Sequence, residues 1–362
     1  MNRSFFYLAA LGVMTLSACT SEDIIDEGVQ ANAIGFTNVV KKQSRASDDA
    51  IIGDLTNDNL DKFVVYGYYT KANMTATAIQ VFGGDVITLK DKATNSWDYA
   101  NPRYWVPGAT YNFYAYSCAD VVLDNTKGTP ALNTTAVNSQ DRVLTINNFI
   151  CDNSHKGHDL IYARNENNVG RDPKDGVPNP KIGFTFNHVL TKINYEFVSD
   201  FDSDYTVYVT DVLIENFRNK GNYHPTKGWL NVSRDFGSNA TSPILLNFDF
   251  PGNNTCRKAS DVVQGSTAVS GWNYVIPYLY DEPNVQLKFK IEVRKGNDVV
   301  FSRNMTGTWR PQWQVGYSYT YTINLTGTVA NLEPIVFETA TDMNLGWNQG
   351  SSQNTNMTFS TN

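Results

Sequence analysis

The sequence predicts an all-β fold of two sandwiches in tandem, on three observations. Val285 to Arg294 alternates strictly, with Val285, Leu287, Phe289, Ile291 and Val293 set against Gln286, Lys288, Lys290, Glu292 and Arg294, so one face meets a core and the other meets water. No long apolar stripe at period 3.6 is present, which leaves helices few and short. The pattern W-x-x-G-x-x-Y-x-aromatic occurs twice, from Trp105 to Phe113 and from Trp313 to Tyr321, each a tight turn after a tryptophan that leads into an alternating strand. Two related units in one chain produce such an echo, and 362 residues exceed what one core usually holds.

The N-terminus sets the compartment. Arg3 precedes a nearly unbroken apolar run from Phe5 to Leu16, too short for a finished membrane span and closed by small residues, so residues 1–18 read as a cleaved secretory signal. Leu16-Ser17-Ala18-Cys19 resembles the bacterial lipobox, in which the cysteine becomes the lipidated first residue. Glu22, Asp23, Asp26 and Glu27 then form a solvated tether resembling a surface-export signal.

The stretch from Ile34 to Val40 follows as an extended strand. Ile34, Phe36 and Val40 point one way, and β-branched Val39 and Val40 suit a pleated surface. Lys41, Lys42, Gln43, Ser44 and Arg45 make a basic run that no core would hold, open to a trypsin-like cut between Arg45 and Ala46. A cut there would free the strand from everything downstream. A sheet that loses a strand exposes unpaired backbone and an apolar groove that another extended segment can fill.

Beyond it, Phe63 to Tyr69 and Tyr111 to Tyr116 read as strands with aromatics on both faces, as in a packed sandwich. The halves, 46–188 and 189–346, meet within the run from Phe186 to Thr191. Gly296-Asn297 turns a hairpin from Val285–Arg294 into Val299–Met305, and Tyr317 to Leu325 is a further strand. Ile335 to Phe337 reads as a strand. Residues 347–362 read as a flexible tail, in which Met357 and Phe359 alternate apolar with polar neighbours.

Several functions find no support. Net charge is −7 and the cations are scattered, so nucleic acid is not an expected partner. No apolar run after the leader is long enough to span a bilayer. Cys118 and Cys151 either pair in an oxidising compartment or stay as buried thiols, and Cys256 has no evident partner. His155 and His158 sit among turn-forming residues without a third ligand, so a turn is expected there and no metal or other cofactor. Asp200, Asp202 and Asp204 open like a calcium loop, but Tyr205 and Asp211 stand where that loop needs Gly and Glu; a solvated hairpin turn is expected. His188 lies in an apolar run and reads as a core or interface residue. No nucleophile elbow or phosphate loop is present, so the chain is not read as an enzyme. Seven tryptophans and twenty tyrosines could stack on sugars, as in a glycan-binding surface module, though most fall where sandwich cores are filled.

A family resemblance rests on the order of many short motifs. The Phe36 strand and Ser44-Arg45-Ala46 linker come first, then F-V-V-Y-G-Y-Y, W-D-Y at Trp97, R-Y-W-V-P-G at Arg103 and Y-N-F-Y-A-Y-S. D-L-I-Y-A at Asp159, F-T-F-N-H-V-L-T-K-I-N-Y-E-F at Phe184, V-I-P at Val275 and G-Y-S-Y-T-Y-T-I-N-L at Gly316 complete the series. Together they resemble the fimbrillin family, pilin-like lipoproteins of Gram-negative anaerobes that build type V pili. The resemblance implies two transthyretin-like sandwiches and lipid on Cys19 that carries the precursor to the outer membrane surface. It implies a cut after Arg45 by an arginine-specific protease, leaving Ala46 first and removing Ile34, Phe36, Val39 and Val40 from the first domain. The vacated groove would take a C-terminal segment of the next pilin subunit, with Ile335 and Phe337 or Met357 and Phe359 as donors, in an extracellular fimbria that adheres to a host protein or glycan. An anchor or tip subunit, or a surface-anchored glycan- or protein-binding lipoprotein, is the alternative.

Overall fold

A computed structural model of the chain describes residues 32–38, 60–72, 78–118, 123, 127–136, 138–153, 158–234, 244–250, 254–258, 268, 270–280, 285–325, 327–328, 331–332, 336–340, 348–349 and 358–361. These form strands and turns, and the helical segments among the described residues are the single 3-10 turns Ser139–Asp141 and Pro173–Asp175. The all-β expectation holds.

The first half is built on a six-stranded antiparallel sheet in the order Asn187–His188, Ile161–Val169, Thr110–Ser117, Lys62–Thr70, Ile79–Asp91, Ser96–Asp98. Both of its faces are apolar because neighbouring residues point to opposite sides. Phe63, Val65, Phe113, Ala115 and Ile161 enter one core. Val64, Tyr68, Tyr114, Tyr116 and Tyr162 enter another. The first core is closed by the short parallel pair Phe36–Asn38 and Ile182–Phe184. The second is closed by a four-stranded sheet in the order Gly228–Ser233, Lys220–His224, Leu144–Ile150, Thr129–Leu132.

That four-stranded sheet crosses the boundary expected at 188/189, because two of its strands come from each half. Cys151 N–H donates to Asn219 O at 2.7 Å, and Asn148 N–H donates to the Asn222 side-chain oxygen at 2.8 Å. Pairing over such a separation leaves no local mark in a sequence, and the halves are joined by more than a linker.

The second half is a sandwich. One sheet runs Arg257–Lys258, Thr191–Ser199, Tyr317–Leu325, Val336–Ala340, with Asn273–Val275 and Asn348–Gln349 added beside the two central strands. The other runs Leu245–Asn247, Tyr205–Glu215, Val285–Lys295, Asp298–Trp309, Thr358–Thr361. Between them lie Tyr195, Phe197, Val209, Leu287, Ile291, Tyr321 and Ile323, all buried. Val285–Lys295 buries every second residue from Val285 to Val293, as its alternation requires. The acidic turn at 200–204 does not close a hairpin. It carries the chain from one sheet, at Thr191–Ser199, to the other, at Tyr205–Glu215, and its Asp204 pairs with Lys295 at 3.5 Å.

Cys118, Cys151 and Cys256 are free thiols. Burial pushes Cys118 and Cys256 up to about 12, and Cys151 well above the ordinary thiol range. All three are therefore poor nucleophiles in the folded protein.

Candidate functional site

The segment 32–38 fills the first core. Ile34 is fully buried and Phe36 is 2% exposed, while Gly35 and Thr37 between them are half-buried, the alternation of an extended strand lying on a core. Phe36 is surrounded by rings: Phe82 at 5.4 Å, Tyr99 at 5.6 Å, Phe184 at 6.1 Å, Phe63 at 6.2 Å and Phe113 at 6.4 Å between centroids. Four of these contacts are edge-to-face, the arrangement that ring quadrupoles favour.

The backbone hold is slighter. Phe36–Asn38 pairs in parallel with Ile182–Phe184 over three residues, with Ile182 N–H donating to Gly35 O at 2.8 Å. On its other side Ala33 bridges Tyr104, with Ile34 N–H to Arg103 O at 2.7 Å and Trp105 N–H to Asn32 O at 3.1 Å. The Tyr99 hydroxyl donates to Ile34 O at 2.7 Å; burial raises its pKa, which keeps it a donor. Asn179 and Asn95 hold the Asn32 and Thr37 side chains at 2.9 and 3.0 Å. The segment is thus seated chiefly by side chains in a ring-lined slot and secondarily by a short ladder.

The second half repeats this docking. Leu279 bridges Gln312, Tyr280 N–H donates to Pro311 O at 3.3 Å and Trp313 N–H donates to Tyr278 O at 3.3 Å. The turn beyond each tryptophan also matches. Gly108 and Gly316 have φ of 71° and 70°, the left-handed region that needs no side chain. Ala109 N–H reaches Val106 O at 3.1 Å and Tyr317 N–H reaches Gln314 O at 3.3 Å. The Tyr111 and Tyr319 hydroxyls each donate to the carbonyl just before the tryptophan, at 3.5 and 3.1 Å. The W-x-x-G-x-x-Y echo is therefore one local structure used twice. Sequence reasoning missed that each copy receives an extended segment, 32–34 or 278–280; the V-I-P-Y-L-Y run was the available signal.

Of the other predicted site residues, Cys19, Val39, Val40, Arg45, Ala46, Ile335 and Met357 lie outside the described residues, as does His155. Phe337 lies in Val336–Ala340 and Phe359 in Thr358–Thr361, which pair in this chain with Tyr317–Leu325 and Asp298–Trp309 at the edges of their sheets. Pieces of the tail expected to be flexible thus form edge strands, since a sheet edge offers unpaired backbone to any extended segment nearby. His188 is buried, with Nδ1 against the Asp159 carboxylate. No group of metal-ligating side chains occurs among the described residues.

No curated protein matches the chain in sequence. Among solved structures it is similar to a candidate cell adhesion protein from Bacteroides uniformis, at 17% identity and a TM-score of 0.40, over 85% of this chain and 97% of that one. Another such protein, from Parabacteroides distasonis, gives 10% identity and a TM-score of 0.46 over 91% and 96%. The fimbrial anchor protein Mfa2 from Porphyromonas gingivalis gives 10% and 0.33 over 81% and 90%. The fimbrillin-like family matches residues 44–342, most of the sequence, and the chain belongs to that family.

Proposed function

We propose that this pilus-related adhesion protein is a shaft subunit of a surface fimbria, stored as a monomer while Ile34 and Phe36 fill the first core and released for assembly when the chain is cut after Arg45. The observation that carries this reading is the burial of Ile34 and Phe36 just ahead of the Lys41–Arg45 basic run. Cys19 would carry the lipid that brings the precursor to the outer membrane, and cleavage by an arginine-specific protease would detach the chain from that anchor.

Docking of the segment is worth about 3–6 kcal/mol from two large apolar side chains alone. Its departure would open a slot lined by Phe63, Phe82, Phe113 and Phe184 and leave the Ile182–Phe184 edge unpaired. A C-terminal strand of the next subunit, Val336–Ala340 or Thr358–Thr361, has the extended form to replace it. Either donor would first leave the sheet edge on which it pairs in its own chain. The role is structural rather than enzymatic.

N-terminal sequencing and denaturing gels of fimbrial material sheared from cells test this. The expected result is a start at Ala46 within a ladder of detergent-resistant oligomers, absent in an Arg45→Ala strain. A lipidated start at Cys19 in a lone monomer would overturn it and favour an anchor subunit or a surface glycan-binding lipoprotein.

A further inference from the structure

The two matched turns differ in what they show to solvent. At the position of Ala33 the second turn carries Leu279, 57% exposed, and at the position of Pro107 it carries Val315, 44% exposed. The backbone geometry is the same with small or cyclic residues there, so the turn does not require these large side chains. Together with Leu230, 38% exposed, they rim a groove of about 580 Å³ whose wall includes Trp229 and Tyr278. Apolar side chains gathered around one concavity mark a contact surface, whereas single exposed ones do not.

Two further features say what fits. Gly228–Ser233, which forms one wall, is the outermost strand of its sheet, with Lys220–His224 as its one strand neighbour among the described residues. A free edge beside an apolar groove suits an extended polypeptide. The groove's own lining is uncharged, but two arginines stand beside it in a chain of net charge −7. The Arg218 guanidinium lies over the Tyr278 ring at 4.3 Å and donates to Val232 O at 3.0 Å, but its buried Nε has no hydrogen-bond partner. Arg234 is exposed one residue past the strand. Neither arginine pairs with a carboxylate among the described residues, while nearby Lys227 does, with Asp141 at 2.9 Å.

We propose that this groove takes an extended, acidic segment of another polypeptide, added as a strand beside Gly228–Ser233. Its alternate apolar side chains sit among Leu230, Leu279 and Val315, and a carboxylate meets Arg218 and Arg234. The surface is separate from the slot filled by Phe36, so its failure leaves the assembly reading untouched.

The test is a displayed random-peptide selection on the full chain, counter-selected on a Leu279→Asp/Val315→Asp double variant. Both positions are exposed, and unchanged circular dichroism and melting confirm that the variant folds. The expected result is a consensus of apolar residues at alternate positions with Asp or Glu. A fluorescein-labelled consensus peptide should bind the full chain by anisotropy, about tenfold more weakly to the double variant and to Arg234→Glu, and less tightly as salt rises. No enrichment over the double variant, a consensus without carboxylates, or binding that the double variant keeps would each overturn the proposal. So would an oligosaccharide or a second copy of the chain occupying the groove in place of peptide.

Discussion

Residues 32–34 and 278–280 make the same antiparallel contact with the residue ahead of a buried tryptophan, yet their ties to the chain differ. The second lies between strands of its own half, with covalent connections on both sides, and Tyr280 is locked further by accepting the Arg218 N–H at 2.5 Å. The first sits ahead of Lys41–Arg45, where one cut would leave it attached to its core by noncovalent contacts alone. One docking geometry thus occurs in a segment tied to the chain on both sides and in one that a single cut would release. The number of hydrogen bonds to the tryptophan arm does not distinguish them, and the covalent route does.

Four measurements sharpen or break this contrast. The largest effect is expected from Phe36→Ala, which empties the middle of a ring-lined slot and should lower stability by about 3–5 kcal/mol in denaturant unfolding. A loss under about 1 kcal/mol would mean that the segment is not the closure of the first core. Next, Tyr280→Phe deprives the Arg218 N–H of its acceptor and should cost about 1–3 kcal/mol. Gly108→Ala and Gly316→Ala should cost the same as each other, about 1–2 kcal/mol, since both glycines are left-handed. Space around a new Cβ at Gly108 is open, so the cost there is backbone alone. Unequal melting shifts would break the equivalence of the turns.

The smallest effect concerns the sheet shared by both halves. His224 has its pKa lowered from 6.5 by burial and then by Lys227, so it resists protonation in the folded chain more than in the unfolded one. Its contribution is present above pH 6.5 and is lost as pH falls below that value toward the folded pKa. His224→Gln should flatten this part of a stability-versus-pH curve; an unchanged slope would remove His224 as its cause.

How far the sequence disclosed these features depended on whether side chains or backbone carried them. Val285 to Val293 and the Ile34–Phe36 spacing were readable because a buried face imposes alternation directly on residue type. The tryptophan turns were readable because a left-handed residue selects glycine. Their incoming segments were not, since Ala33 and Leu279 engage through backbone and share no side-chain character. Lys220–His224 and Thr129–Leu132 likewise have weak alternation, so the sheet spanning residue 188 left no trace, and Asn348–Gln349, two polar residues, was read as part of a flexible tail.

That spanning sheet also bears on mechanics. A tug entering through one half and leaving through the other would be shared between the peptide link near residue 188 and the ladder joining Leu144–Ile150 to Lys220–His224. The ladder must rupture before the halves part, so each unit of a stretched filament would carry tension as one block.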